Sequence, residues 1–147
     1  MAIITQDILI TGTKRDDAFD WLGDPNNHDQ ITAGAFDSVS GSAGTYQLGL
    51  STPGKKRTMG YKFVEKDDSH GGRRILVETD GKRTRGKLNF SFRTMKPSTN
   101  TLVTLRLDYD PGGALGGLIN SSGLADALEA GCKKMLENFA RACPKSI

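Results

Sequence analysis

The chain has 147 residues, of which 25% are charged and 36% are hydrophobic. This composition predicts one soluble globular domain, spanning residues 1–147, with one core. It excludes a membrane-spanning segment, because no run approaches the 18 or more apolar residues that a span requires. The N-terminal residues have no basic region before an apolar stretch, so no signal peptide is predicted and a cytoplasmic location is expected.

The net charge of +3 is distributed unevenly along the chain. Residues 1–54 hold two bases and seven acids, a net charge of −5, whereas residues 55–96 hold 13 bases and five acids, a net charge of +8. Residues 97–147 hold five of each. The basic excess therefore belongs to the middle of the chain and its turns.

The first third of the chain predicts one strand and two short helices. Residues 3–11 alternate between apolar and polar positions, as a strand requires. Thr13 has the side chain of a helix N-cap and would start a helix of about two turns. Glycine, proline and asparagine in residues 23–27 end that helix. A second short helical turn is expected over residues 28–31.

From Phe36 onward the hydrophobic period becomes 2, and turn residues recur at regular intervals. This pattern predicts six more strands in an antiparallel sheet with one apolar face. The predicted strands span residues 36–40, 45–51, 57–65, 73–79, 87–95 and 102–109. The apolar face needs a cover, and only the C-terminal part of the chain contains an element long enough to supply it.

That element is an amphipathic helix ending before Pro144. Its apolar stripe, at intervals of three and four residues, consists of Leu124, Leu128, Cys132, Met135, Phe139 and Ala142. Residues 112–123, which precede it and are rich in glycine, predict a mobile lid. Cys132 and Cys143 are separated by roughly 16 Å of helical rise, so both are predicted to be reduced.

The order of these elements resembles the START-like, helix-grip (SRPBCC) superfamily over about residues 3–143. The segments Asp-Asp-Ala-Phe-Asp-Trp-Leu-Gly-Asp-Pro (16–25) and Asp-Pro-Gly-Gly-Ala-Leu-Gly-Gly-Leu (110–118) carry the resemblance. The superfamily includes polyketide cyclase/dehydrase-type proteins, plant allergen-type carriers and lipid-transfer domains. The resemblance implies an α+β helix-grip fold, in which a curved seven-stranded antiparallel sheet wraps a long C-terminal helix, with two short helices between strands 1 and 2.

This architecture predicts a ligand cavity between the sheet and the helix, with the lid at one mouth. The predicted lining residues are Tyr46, Leu48, Tyr61, Phe63, Phe90, Phe92, Leu105, Leu107, Tyr109, Leu118, Leu128 and Met135. The predicted rim of the mouth is cationic and consists of Lys55, Lys56, Arg57, Lys82 and Arg83. The competing interpretation is that the lining residues form a filled core and that the rim is ordinary solvated surface.

Catalytic motifs are absent from the sequence. It contains no H-x-x-x-H, C-x-x-C or G-x-S-x-G, and the glycine-rich segment lacks the lysine of a phosphate-binding loop. We therefore predict no metal and no cofactor, and we assign no catalytic residue. His28 and His70 lie in separate polar segments, and no carboxylate–histidine pair is expected beside the tyrosines that would face the cavity.

Three functions remain open from the sequence. The first is binding or transport of a hydrophobic or amphipathic small molecule, with or without an anionic head group. The second is a polyketide cyclase or dehydratase, in which Tyr46, Tyr61 or Tyr109 would assist. The third is an interaction module whose basic rim binds an acidic protein or a membrane surface. Nucleic acid is not expected as a partner, since the aromatic residues fall on the buried face. The oligomeric state is not determined.

Overall fold

The computed structural model describes residues 1–113 and 123–147. These residues form an antiparallel sheet, three α-helices and two short 3-10 turns, at Pro25–Asn27 and Ser69–Gly71. The strands are β1 (Ala2–Ile10), β2 (Ser38–Ser42), β3 (Thr45–Leu50), β4 (Arg57–Asp67), β5 (Arg74–Asp80), β6 (Arg85–Thr94) and β7 (Thr101–Asp110). The helices are α1 (Arg15–Leu22), α2 (His28–Thr32) and α3 (Ala125–Ala142).

The sheet has the strand order β1-β7-β6-β5-β4-β3-β2. Strands β2 to β7 follow one another as hairpins, and β1 pairs with β7 from Ala2 opposite Tyr109 to Ile10 opposite Thr101. The first and last strands are therefore neighbours, and the two short helices bridge the sheet from β1 to the far edge at β2. The predicted seven-stranded antiparallel sheet is confirmed.

Helix α3 covers the apolar face as its sequence period predicts. Of the six residues in the predicted stripe, five are buried and Ala142 is half-buried. The helix packs against β1, β7 and α2. Asn138, also buried, donates hydrogen bonds to the carbonyl oxygens of Ile31 (2.9 Å) and Ala33 (3.0 Å). These bonds fix α2 against α3 by satisfying backbone groups at the end of the short helix.

Four aromatic rings fill the space where α1 and the C-terminal half of α3 meet the sheet. Trp21 stacks on Phe139 at 5.6 Å between ring centroids. Phe92 meets Phe139 edge-on at 6.1 Å and Phe19 at 5.7 Å. Phe92, which was predicted to line a cavity, therefore packs between the two helices in an aromatic cluster.

Helix α1 begins at Arg15, and Lys14 occupies the N-cap position without a side-chain hydrogen bond. The prediction that Thr13 caps this helix is wrong. The Thr13 hydroxyl donates to the carbonyl oxygen of Pro144 at 2.9 Å, and its carbonyl oxygen accepts from the Thr101 hydroxyl at 2.8 Å. Thr13 thus joins β7 to the segment after α3 instead of starting a helix.

The turns alternate between the two ends of the sheet, as an up-and-down order requires. Residues 51–56, 81–84 and 111–113 share the end at which α3 begins. Contacts at this end confirm the grouping: Gly123 lies against Pro53, and Arg83 donates to the carbonyl oxygen of Pro111 at 3.0 Å. Residues 114–122 of the predicted lid lie outside the described residues.

At Gly131, α3 passes close to Phe36 in the segment before β2. A Cβ atom added there would lie 2.1 Å from Cε1 of Phe36. We expect Gly131→Ala to lower the free energy of unfolding by about 1 kcal/mol, because the overpacking of the ring outweighs the better helix propensity of alanine. Urea unfolding measures the change.

Ala130→Gly is the control, because Ala130 is exposed on the same helix. Its stability change measures the difference in helix propensity between alanine and glycine without a change in packing. Adding Phe36→Leu to Gly131→Ala should recover part of the lost stability by making room for the new methyl group. A Gly131→Ala variant more stable than the wild type would show that Phe36 moves aside freely.

Candidate functional site

A row of hydroxyl groups crosses the inner face of the sheet. The strand register places Tyr46 opposite Tyr61, Tyr61 opposite Thr79, Thr79 opposite Gly86, and Gly86 opposite Tyr109. All four hydroxyl-bearing side chains are buried. Neighbouring inner-face strand positions, such as Leu48, Val77 and Leu107, are apolar and buried. The row is therefore a narrow polar stripe on a mostly apolar wall.

His28 meets this row from the opposite side. Its Nε2 lies 2.8 Å from the carbonyl oxygen of Leu22, and its Nδ1 lies 2.7 Å from the hydroxyl of Tyr61. A carbonyl oxygen can only accept, so Nε2 carries the proton and Nδ1 accepts from Tyr61. Burial lowers the pKa of His28 to about 4, against the opposing effect of the Leu22 carbonyl. The imidazole is therefore neutral at pH 7, with both nitrogens engaged.

Aromatic rings surround the imidazole. Its centroid lies 5.2 Å from that of Phe63, 5.8 Å from that of Tyr61 and 6.3 Å from that of Phe90. Although His28 lies in a polar segment of the sequence, its side chain is fully buried among three predicted lining residues, an arrangement that the sequence did not indicate. The signal that could have found it is its spacing of three residues from Ile31, which places both on one face of α2.

Tyr46 is held by a second polar residue of α2, Asp29. The Tyr46 hydroxyl donates to Oδ1 of Asp29 and accepts from the backbone N–H of Gly44 at 3.1 Å. Asp29 Oδ1 also accepts from the N–H of Ala43 at 2.9 Å. Burial, followed by the Asp29 carboxylate, raises the pKa of Tyr46 to about 12. The β2–β3 turn, α2 and the hydroxyl row are thus connected by one set of hydrogen bonds.

Tyr61 is an almost completely buried phenol near the middle of the row. Burial raises its pKa well above the ordinary value of 10.0, and the neighbouring Tyr46 and Cys132 raise it further. Cys132, on the facing side of α3, has a pKa raised to about 12 by burial. Neither group ionises near neutral pH, so Tyr61 and Cys132 contribute polar atoms without a charge. Both cysteines are free and buried, as predicted.

The structure buries the predicted lining residues on a common side of the sheet or on the facing side of α3. Phe63 is half-buried, and Leu118 lies outside the described residues. The buried lining residues are Tyr46, Leu48, Tyr61, Phe90, Phe92, Leu105, Leu107, Tyr109, Leu128 and Met135. Their contact with a ligand stays a prediction.

The predicted rim residues lie at the end of the sheet where α3 begins. Lys55, Lys56 and Lys82 are exposed, whereas Arg57 and Arg83 are half-buried. None of the five forms an ion pair with a carboxylate of residues 1–113 or 123–147. Their positive charges are therefore not neutralised by described side chains.

The outer face of the sheet has a groove of about 1060 Å³ that the sequence did not indicate. The strand register places Lys62, Glu78, Lys87 and Asp108 side by side along it. Gly60 contributes no side chain to the next row, which deepens the groove. Neighbours of opposite charge on adjacent strands stabilise this exposed face.

Residues 1–113 and 123–147 contain neither a grouped set of metal ligands nor a membrane-spanning helix. No three His, Cys, Asp or Glu side chains of these residues are grouped as a metal site would require. The helices of this part of the chain are too short or too polar to cross a bilayer. His70, which adjoins Asp67 and Asp68 in the sequence, is exposed in a turn.

Neither a protein-family model nor a curated protein sequence matches the chain, but solved structures do. The KanY protein matches with a TM-score of 0.67 and 14% identity, over 95% of each chain. TTHA0849 from Thermus thermophilus matches with a TM-score of 0.63 and 16% identity, over 95% of each chain. Norcoclaurine synthase from Thalictrum flavum matches with a TM-score of 0.62 and 12% identity, over 95% of this chain and 84% of its own. The chain therefore has the helix-grip fold of the START-like (SRPBCC) proteins.

Proposed function

We propose that the protein binds a hydrophobic or amphipathic small molecule between the inner face of the sheet and α3. The observation that supports this most directly is the hydroxyl row on an apolar wall, because small-molecule sites are mostly apolar with a few fixed polar groups. Tyr61 donates its proton to His28, so its oxygen can still accept a hydrogen bond from a ligand. The fold also supports small-molecule binding, because norcoclaurine synthase, which has a similar fold, has been solved in complex with dopamine and hydroxybenzaldehyde.

Binding is favoured over catalysis by the state of the phenols. The protons of Tyr46 and Tyr61 are already donated to Asp29 and His28, and both pKa values are raised. Neither hydroxyl is prepared to give a proton to a substrate without breaking a buried bond. The cyclase alternative requires turnover of a polyketide-like substrate that is lost on changing Tyr46, Tyr61 or Tyr109 to phenylalanine. Unchanged rates in all three variants would remove it.

The experiment that tests binding is native mass spectrometry of protein purified without added lipid, followed by thermal unfolding with a panel of fatty acids and aromatic amphiphiles. A bound molecule, or a melting temperature that rises with ligand concentration, is the expected result. If no member of a broad panel shifts the melting temperature and no mass is retained, the proposal is overturned.

A variant of α3 separates a cavity from a filled core. We expect Leu128→Trp to abolish the ligand-induced shift in melting temperature while the unliganded melting temperature changes little, because the indole occupies the space that the ligand would take. In a filled core the same change would cost about 1–3 kcal/mol of stability through overpacking. Glu129→Trp, at the exposed adjacent position, is the matched control and should leave both properties unchanged.

A further inference from the structure

Arg83 differs from the other rim cations in its surroundings. It lies in the β5–β6 turn, at the end of the sheet where α3 begins, and its side chain is partly covered. Nη1 donates to the carbonyl oxygen of Pro111 at 3.0 Å and fits closely over Gly112, where a Cβ atom would come within 2.4 Å of it. The guanidinium is thus held at the point where β7 leads into the segment before α3.

The opposite edge of the guanidinium has no such partner. Nε is buried and makes no hydrogen bond to any described residue. A buried donor without an acceptor costs about 1–3 kcal/mol, so native structures leave few of them unexplained. Nε and Nη2 together form the side of the guanidinium that binds two oxygen atoms of one anion.

The acidic side chains nearest in the chain do not supply those oxygens. Asp80 accepts from the N–H of Gly81 at 2.9 Å and from Nε of Arg85 at 3.2 Å. Asp110 accepts from the N–H of Gly112 at 2.8 Å. Arg83 forms no ion pair with a carboxylate of residues 1–113 or 123–147. The guanidinium charge of Arg83 is therefore held in a partly buried position with no counter-charge among the described side chains.

We propose that Arg83 anchors the carboxylate of an amphipathic ligand, with Nε and Nη2 donating to its two oxygens while the apolar part of the ligand extends toward the hydroxyl row. This inference rests on the proposed function and specifies its ligand class. A carboxylate fits better than a phosphate monoester, because its single negative charge matches the one guanidinium and its two oxygens match the two donors. The exposed Lys55, Lys56 and Lys82 are solvated and add only long-range attraction.

The test compares dodecanoate with 1-dodecanol by isothermal titration calorimetry, on the wild type, Arg83→Gln, Arg83→Lys and Lys82→Gln. The wild type should bind dodecanoate about tenfold or more tightly than the alcohol, as expected for charge-assisted hydrogen bonds. Arg83→Gln should remove this preference and leave the affinity for the alcohol unchanged. Arg83→Lys should retain only part of the preference for dodecanoate, since an ammonium lacks the paired donors. Lys82→Gln, from the same turn, should retain it.

The outcomes separate the two proposals. If both ligands bind with equal affinity to the wild type, or if the preference survives in Arg83→Gln, the anchor is overturned and the binding function stands. If neither ligand binds the wild type, the proposed function fails together with the anchor. The melting temperature of each variant verifies that its fold is retained.

Discussion

Replacing His28 with leucine is expected to lower the free energy of unfolding by about 3 kcal/mol, since it leaves two buried polar groups without partners. The hydroxyl of Tyr61 loses its acceptor at 2.7 Å, and the carbonyl oxygen of Leu22 loses its donor at 2.8 Å. The leucine is similar to the imidazole in volume, so the loss reports mainly on hydrogen bonds. Urea unfolding at pH 7 measures it.

A double-mutant cycle isolates the bond between His28 and Tyr61. Tyr61→Phe alone should also destabilise the protein, because Nδ1 of His28 then lacks a donor. The double variant His28→Leu/Tyr61→Phe should lose less free energy of unfolding than the two single variants lose together. The reason is that the second substitution removes a polar group that the first has already left unpaired. His70→Asn is the control for the loss of a histidine, because His70 is exposed. Additive losses would show that the pair is not coupled.

Acidification from pH 7 to pH 4 is expected to remove about 3 kcal/mol of stability through His28 alone. The pKa of this group is lowered from 6.5 to about 4 in the folded protein. Between those values the unfolded chain binds a proton that the folded protein excludes, so the free energy of unfolding falls as the pH falls through this window. Below about pH 4 the folded protein also takes up the proton, and this contribution levels off.

Chemical denaturation at pH 7, 6 and 5 tests this dependence. The wild type should lose stability across the series, and His28→Leu should lose much less, because it has no imidazole to protonate. The chain has two histidines, so His70→Asn leaves His28 as the only ring to follow by nuclear magnetic resonance. A His28 ring that titrates above pH 6 would contradict the expectation.

The regular elements were predictable because their signals are local. Leu128, Cys132 and Met135 recur at intervals that only a helix places on one side, and all three are buried. The alternation of Leu105, Leu107 and Arg106 identifies β7 and its inner face in the same way. Turn residues at regular spacing were sufficient to assign each hairpin to one end of the sheet.

Individual side-chain partners were not predictable in this way. Thr13 has the chemistry of an N-cap, but its hydroxyl bonds to Pro144, 131 residues away in the chain. Phe92 follows the period of an inward-facing strand residue, yet α1 and α3 enclose it in the aromatic cluster. A local sequence pattern predicts which face of its element a residue lies on. It does not predict which distant element packs against that face.

The sequence by itself therefore determined the seven strands, the face of α3 that is buried, and the basic character of one end of the molecule, since periodicity and charge are properties of neighbouring residues. Only the tertiary structure placed His28 against Tyr61, joined Asp29 to Tyr46, and left Nε of Arg83 buried without an acceptor among the described residues. These arrangements depend on how α2 docks against the sheet and how the β5–β6 turn meets the end of β7. Such packing is decided by the sum of contacts between segments that are distant in the chain.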